Sequence, residues 1–161
     1  MEETHSFGPV VNQGTRILIL GSHPGVLSLR KQQYYGNPGN AFWRVVFNAL
    51  EVPDPVDYQE RLDTLQAHGI GLWEVYATVQ REGSLDHKIK NPTLNDFEIV
   101  LKGIPIKLII ANGKTAYKEI IKQPVFQSYD VVSALSTSGL NNGREKERME
   151  QWTQAIRSVL N

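Results

Sequence analysis

The segment that most restricts the fold is the uninterrupted apolar run at residues 16–21, RILILG. A strand with one face in water alternates apolar and polar residues, so a run without alternation reads as a central parallel strand covered on both faces. Residues 70–75, 107–111 and 129–135 are candidate strands of the same kind. Helical patterns lie between them. Phe42, Val45, Val46, Ala49 and Leu50 recur at helical spacing over residues 41–50, and residues 57–68 open with the capping-box pair Asp57 and Glu60 and stop at Gly69. Thr93 and Asp96 are expected to cap a helix running to about Leu101, and Asn112-Gly113-Lys114 to start another that ends before Pro124. Over residues 144–160, Met149, Trp152, Ile156 and Val159 fall on one helical face. This alternation predicts an α/β fold, a three-layer α/β/α sandwich around a mainly parallel four-stranded sheet. A length of 161 residues suits one domain spanning residues 1–161 with a core of its own. The sequence has no repeat or linker, and the first dozen residues are expected to be loosely held.

Open α/β sheets keep their ligand crevices at the carboxyl ends of the strands. Residues 21–43, GSHPGVLSLRKQQYYGNPGNAFW, begin at that edge. They supply small and polar residues, then paired tyrosines, then a Gly-Asn-Pro-Gly-Asn turn and an Ala-Phe-Trp helix start. Aromatic faces can hold a flat base, and the turn brings amides and backbone groups close to it.

Composition excludes other chemistries. With no cysteine, the chain has no disulfide, thiolate nucleophile or cysteine-ligated iron-sulfur cluster. His5, His23, His68 and His87 are scattered without the spacing of zinc ligands, and the GxxxxGK of a P-loop is absent. No metal and no organic cofactor are expected. The opening residues lack a basic region followed by an apolar core, and no apolar run approaches membrane-spanning length, so a cytoplasmic address is expected. A formal net charge of zero argues against strong nonspecific binding to a polyanion. The charge is uneven, with six acids and one Arg over residues 51–75 but seven Lys and four acids over residues 84–124. That distribution fits either a modest basic face or a solvated surface laced with salt bridges.

The order of motifs in residues 21–43 resembles the uracil-DNA glycosylase superfamily, and most closely its hypoxanthine-DNA glycosylase branch. That branch carries Gly-Ser-x-Pro, Ser-Leu, Tyr-Tyr and Pro-x-Asn-x-Phe-Trp in the same succession. Residues 71–89, GLWEVYATVQREGSLDHKI, are similar to the family's second strand and following loop, and residues 111–117, ANGKTAY, to its third strand-to-helix turn. Residues 135–141, LSTSGLN, look like its last motif, usually Pro-Ser-Thr-Ser-Pro, so the resemblance covers nearly the whole chain. Gly39 stands where the family generally has Arg, and Leu135 and Gly139 replace the two prolines. These departures bear on the grip on DNA and on the rigidity of the last loop.

The resemblance implies a monofunctional DNA glycosylase. It would remove a deaminated base, hypoxanthine first and uracil second, by hydrolysis with water, and its partner would be DNA containing that base. Asn40 would be catalytic, orienting water or donating to the leaving base, although an Asn there also suits a helix N-cap. His23 occupies the slot where related branches position water, and a neutral imidazole could accept its proton; the alternative is a loop residue bonded to backbone. Gly21 and Ser22 would border the base, Tyr35 would be its stacking shelf, and Glu74 would accept from its edge. Ser136, Thr137 and Ser138 would hold phosphate oxygens while Leu140 entered the emptied stack. Lys114, with Asn112 and Gly113, would bind a phosphate or merely belong to a capped helix start. Two rivals remain at this level. One is a noncatalytic binding module of the same fold, and the other is a hydrolase of small nucleosides.

Overall fold

The apolar run forms the middle of a parallel sheet in the computed structural model, which describes residues 2–160. Along the chain the elements are β1 (Glu3–His5), β2 (Ile17–Gly21), α1 (Val26–Lys31), α2 (Phe42–Leu50), α3 (Tyr58–Ala67), β3 (Ile70–Glu74) and β4 (Tyr76–Gln80). They continue with β5 (Lys90–Leu94), α4 (Glu98–Leu101), β6 (Leu108–Asn112), α5 (Lys114–Ile120), β7 (Val131–Ala134) and α6 (Glu145–Arg157). The parallel sheet has the order β3-β2-β6-β7, and every residue of β2 and β3 is buried, which explains why neither strand alternates.

Successive side chains of each strand enter opposite layers. Ile17, Ile19, Ile70, Leu72 and Ile110 pack with Phe42, Val46, Leu65, Trp152 and Ile156 from α2, α3 and α6. Leu18, Leu20, Trp73, Ile109 and Ala111 pack with Val100, Leu101, Ala116 and Ile120 from α4 and α5. The result is the expected α/β/α sandwich. None of the helices among the described residues is long and apolar enough to cross a membrane.

A second sheet, antiparallel and ordered β1-β4-β5, adds to the architecture that the apolar pattern predicts. Its strand β5, KNPTL, is exposed along its whole length and carries Pro92, so it offers no apolar alternation and sits at an edge, where a strand tolerates proline. Thr93 therefore belongs to β5 and pairs with Thr78, and the expectation that it caps a helix is corrected. Asp96 keeps its role, its carboxylate accepting from the Glu98 amide at 3.2 Å. The first dozen residues are also tied down more firmly than expected. Glu3, Thr4 and His5 pair with β4, Val10 bridges to Leu72, and the Trp73 indole donates to the Phe7 carbonyl. Met1, at the head of that segment, lies outside the described residues.

Candidate active site

Parallel register brings distant residues to one edge of the sheet. Gly21 at the end of β2 lies opposite Glu74 at the end of β3, Leu20 lies opposite Ala111, and Asn112 follows at the end of β6. A cleft of about 350 Å³ opens there. It is lined by Gly21, Ser22, His23, Tyr35, Asn40, Glu74, Asn112 and the loop from Ser136 to Asn141. Its volume is within the range of small-ligand sites.

Gly21 is needed for close approach. A Cβ at this position would stand 2.7 Å from Glu74 Oε2 and 3.3 Å from the Tyr35 hydroxyl. Glycine thus lets the carboxyl and the phenol converge over the strand end. Tyr35 stacks on Phe42 with ring centroids 3.9 Å apart and 12° between planes. Its hydroxyl accepts from Asn112 Nδ2 at 3.2 Å, and its backbone adopts a left-handed φ of 54° within the turn. Tyr34 points the other way, buried, its hydroxyl donating to the Gly8 carbonyl.

Asn40 stands just ahead of α2. Its Oδ1 accepts from the Phe42 amide at 2.9 Å; because α2 begins one residue later than expected, Ala41 takes the N-cap position and Asn40 holds the first helical amide from the residue before it. The same contact fixes which end of the amide is oxygen and leaves Nδ2 without a partner among the described residues.

His23 is buried, and both ring nitrogens are engaged. Nδ1 faces the Tyr76 carbonyl at 3.3 Å and therefore carries the proton, while Nε2 lies 2.9 Å from the Thr4 hydroxyl, from which it accepts. Burial, aided by the Arg81 charge, pushes the imidazole down to about 4, although its bond to the Tyr76 carbonyl pulls the other way. Glu74 moves upward, to about 8, through burial and the neighbouring Asp86, against the opposing pull of Arg81.

The hairpin loop between β4 and β5, within the family-like stretch 71–89, forms one wall, and the parts that Arg81 and Asp86 play in it carry no mark in the sequence. Asp86 accepts from the Ser22 hydroxyl at 2.8 Å and lies 3.6 Å from Arg81 Nη1, while Arg81 Nη2 donates to the Pro24 carbonyl at 2.6 Å. Leu85 sits on this lip, 41% exposed.

Opposite stands the loop that follows β7. Leu140 is 79% exposed at its tip. Thr137 is fully buried: its hydroxyl accepts from Asn112 Nδ2, its amide donates to Asn112 Oδ1, and its carbonyl accepts from the Ala41 amide. That hydroxyl is inside the protein and cannot reach a phosphate, which corrects its expected contact with DNA. Ser136 and Ser138 are half-buried, and each hydroxyl accepts from the amide two residues on. Lys114 is exposed at the start of α5, outside the cleft lining. Asn112 does not cap α5; Gly113, at φ 97°, makes that turn, and Asn112 instead joins Tyr35 to Thr137.

Leu135 and Gly139, which flank Ser136-Thr137-Ser138, each have a structural reason. The Leu135 amide donates to Gln151 Oε1 at 2.8 Å, a bond that proline cannot make. Gly139 passes so close to Gly39 that a Cβ would stand 3.1 Å from the Gly39 carbonyl. The loop is anchored from α6 instead, by Gln151, by the Trp152 indole on the Leu135 carbonyl, and by Arg148, a residue the sequence did not single out. Among the described residues no cluster of His, Asp and Glu is placed to hold a metal ion.

A hypoxanthine DNA glycosylase of Methanosarcina barkeri is 41% identical over 155 residues, covering 94% of this chain and 96% of the relative. The hypoxanthine DNA glycosylase of Methanosarcina acetivorans gives the same identity and coverage. The solution NMR structure of a candidate uracil DNA glycosylase from M. acetivorans superimposes with a TM-score of 0.85 at 38% identity, covering 98% of each chain. The profile of the uracil DNA glycosylase superfamily matches residues 9–160, and with that match the chain belongs to the uracil DNA glycosylase superfamily.

Proposed function

We propose that the chain is a single-domain, monofunctional DNA glycosylase that hydrolyses the N-glycosidic bond of a deaminated base in DNA, hypoxanthine first and uracil second. The carrying observation is that Asn40 and Glu74, each with side-chain polar atoms that have no partner among the described residues, line the same cleft as Tyr35. The 41% identity to hypoxanthine DNA glycosylases supports the choice of base.

The base, turned out of the helix, lies on the Tyr35 ring, whose other face is seated on Phe42. Bond cleavage sends the C1′–N electron pair to the base, water adds its oxygen to C1′, and the proton it sheds completes the free base. Negative charge on the leaving base is the quantity to stabilise, and we assign that task to Asn40 Nδ2, a donor on the cleft wall with no partner among the described residues. Gly21 and Ser22 border the base, and Glu74 faces its edge. With both nitrogens taken, His23 serves as a brace between β1 and the strand-end loop rather than as the general base. Leu140 fills the vacated stack, with Ser136, Ser138 and Lys114 toward the phosphates.

Comparing abasic-site formation on an inosine-containing duplex with release of hypoxanthine from free inosine tests this reading. Activity on the duplex alone supports it. Activity on the nucleoside alone makes the chain a nucleoside hydrolase, and binding without release makes it a recognition module.

A further inference from the structure

Glu74 is 4% exposed, and what remains accessible faces the cleft. Its backbone carbonyl accepts from Asn95 Nδ2, but neither carboxyl oxygen has a hydrogen-bond donor among the described residues. The ionisable groups around it are Arg81 from the end of β4, Asp86 from the hairpin loop, and Tyr34 and Tyr35 from the turn before α2. Arg81 is turned toward Pro24 and Asp86 and forms no ion pair with Glu74. An ionised carboxylate buried without donors or a paired cation carries a large desolvation cost, which it avoids by taking up a proton. The upward displacement noted above follows from this arrangement.

We propose that Glu74 reads the substrate as a neutral carboxylic acid, pairing its O–H and C=O with the adjacent C=O and N–H of a lactam edge. This rests on the glycosylase reading and names its substrate class. A protonated carboxyl is both donor and acceptor, whereas a carboxylate only accepts and would set its charge against the base's carbonyl oxygen. Hypoxanthine offers N1–H beside O6, and uracil offers N3–H beside O4, so one acid serves two rings of different size. Deamination creates this edge from an amidine. With its proton on the other oxygen, the same acid fits the amidine of adenine, so exclusion of adenine falls to the greater cost of extruding a well-paired base.

The test is a chemical-shift titration of the protein with free hypoxanthine and with 1-methylhypoxanthine, which lacks the lactam N–H. It runs from about pH 6 to about pH 9.5, for the wild type, Glu74→Gln and Glu74→Leu. Glutamine keeps a donor and an acceptor without titrating. Because the base itself sheds N1–H in alkali, wild type and Glu74→Gln are compared at each pH. The expected result is binding by Glu74→Gln within a few-fold of wild type near neutrality, with the wild type falling behind it in alkali. Glu74→Leu and the methylated base should each lose roughly tenfold or more. Without any variant, the wild-type Glu74 carboxyl carbon should titrate well above the ordinary carboxylate range. Titration in that ordinary range overturns the proposal, as does loss of binding in Glu74→Gln while wild-type affinity holds or rises with pH. If the binding pattern appears but wild type releases no base from an inosine-containing duplex, the acid stands as a lactam reader and the glycosylase reading fails.

Discussion

Arg148, fully buried, donates through Nη1 to the carbonyl oxygen of Ser138 at 3.2 Å, two residues before the exposed Leu140. The same guanidinium reaches the Ser136 carbonyl at 3.3 Å, Asn142 Oδ1 at 2.9 Å and Glu145 Oε2 at 2.7 Å. A planar fork of donors can hold several loop acceptors at once, which an ammonium cannot do. The loop bearing Leu140 is thereby fastened to α6.

Arg148→Lys should therefore loosen the loop, costing roughly 1 to 3 kcal/mol of stability. Below its melting range the variant should lose cleavage of paired duplex far more than cleavage of single-stranded or mismatched substrate, because those require less unpairing. Leu140→Ala should show the same substrate-selective loss with little change in stability, since Leu140 is 79% exposed. Parallel rate measurements on paired and unpaired substrates check both. An equal loss on every substrate would make the loop a structural part and place the wedge elsewhere, with Leu85 on the opposite lip the next residue to change.

Tyr35 meets Asn112 through its hydroxyl and Phe42 through its ring. Tyr35→Phe removes one hydrogen bond, worth about 1 kcal/mol, and should retain activity, whereas Tyr35→Ala removes a base-stacking face worth about 1 to 3 kcal/mol. The rate of base release by the two variants decides the matter. Equal loss in both would transfer the importance from the ring to the link between Tyr35 and Asn112.

His23, held neutral down to about pH 4, gives stability a pH dependence of known sign. Between about 4 and its ordinary value of about 6.5, the unfolded chain binds a proton at this residue and the folded chain does not. Stability is thus lost as pH falls through that window, by an amount on the order of 2 to 3 kcal/mol. Urea unfolding at about pH 7 and about pH 5 should show a smaller acid loss in His23→Gln than in wild type. The pH profile of base release near neutrality should be unchanged by that substitution. A profile that flattens in His23→Gln would return the imidazole to the role of general base.

Much of this architecture is legible in the sequence because burial on both faces leaves an unambiguous trace in the apolar strand at Ile17–Gly21. Gly21, Asn40 and Tyr35 are also legible, since they lie within one short stretch of distinctive order. What the sequence hides is assembled across long separations. Asn112, bonded to Tyr35 and Thr137, resembles an ordinary helix start until register brings β6 beside β2. Arg148 stands in a run of charges indistinguishable from a solvated helix face, yet its side chain is fully buried. β5 escapes notice because an exposed edge strand carries no apolar period, and with it goes the hold of Asp86 on Ser22, although the loop that bears Asp86 lies within the family-like stretch 71–89.

The central claim rests on Asn40, whose oxygen accepts from the first amide of α2 and whose nitrogen has no partner among the described residues. The most direct measurement is release of free hypoxanthine, with the matching abasic site, from a duplex carrying one inosine, by wild type and by Asn40→Ala. Loss of that hydrogen bond should lower stability by only about 0.5 to 1.5 kcal/mol, so the variant remains folded. The account expects release by wild type and a loss of roughly a hundredfold or more in Asn40→Ala, the scale on which removing one preorganised donor acts. An intact duplex after incubation with wild type, or release by folded Asn40→Ala at the wild-type rate, would contradict it.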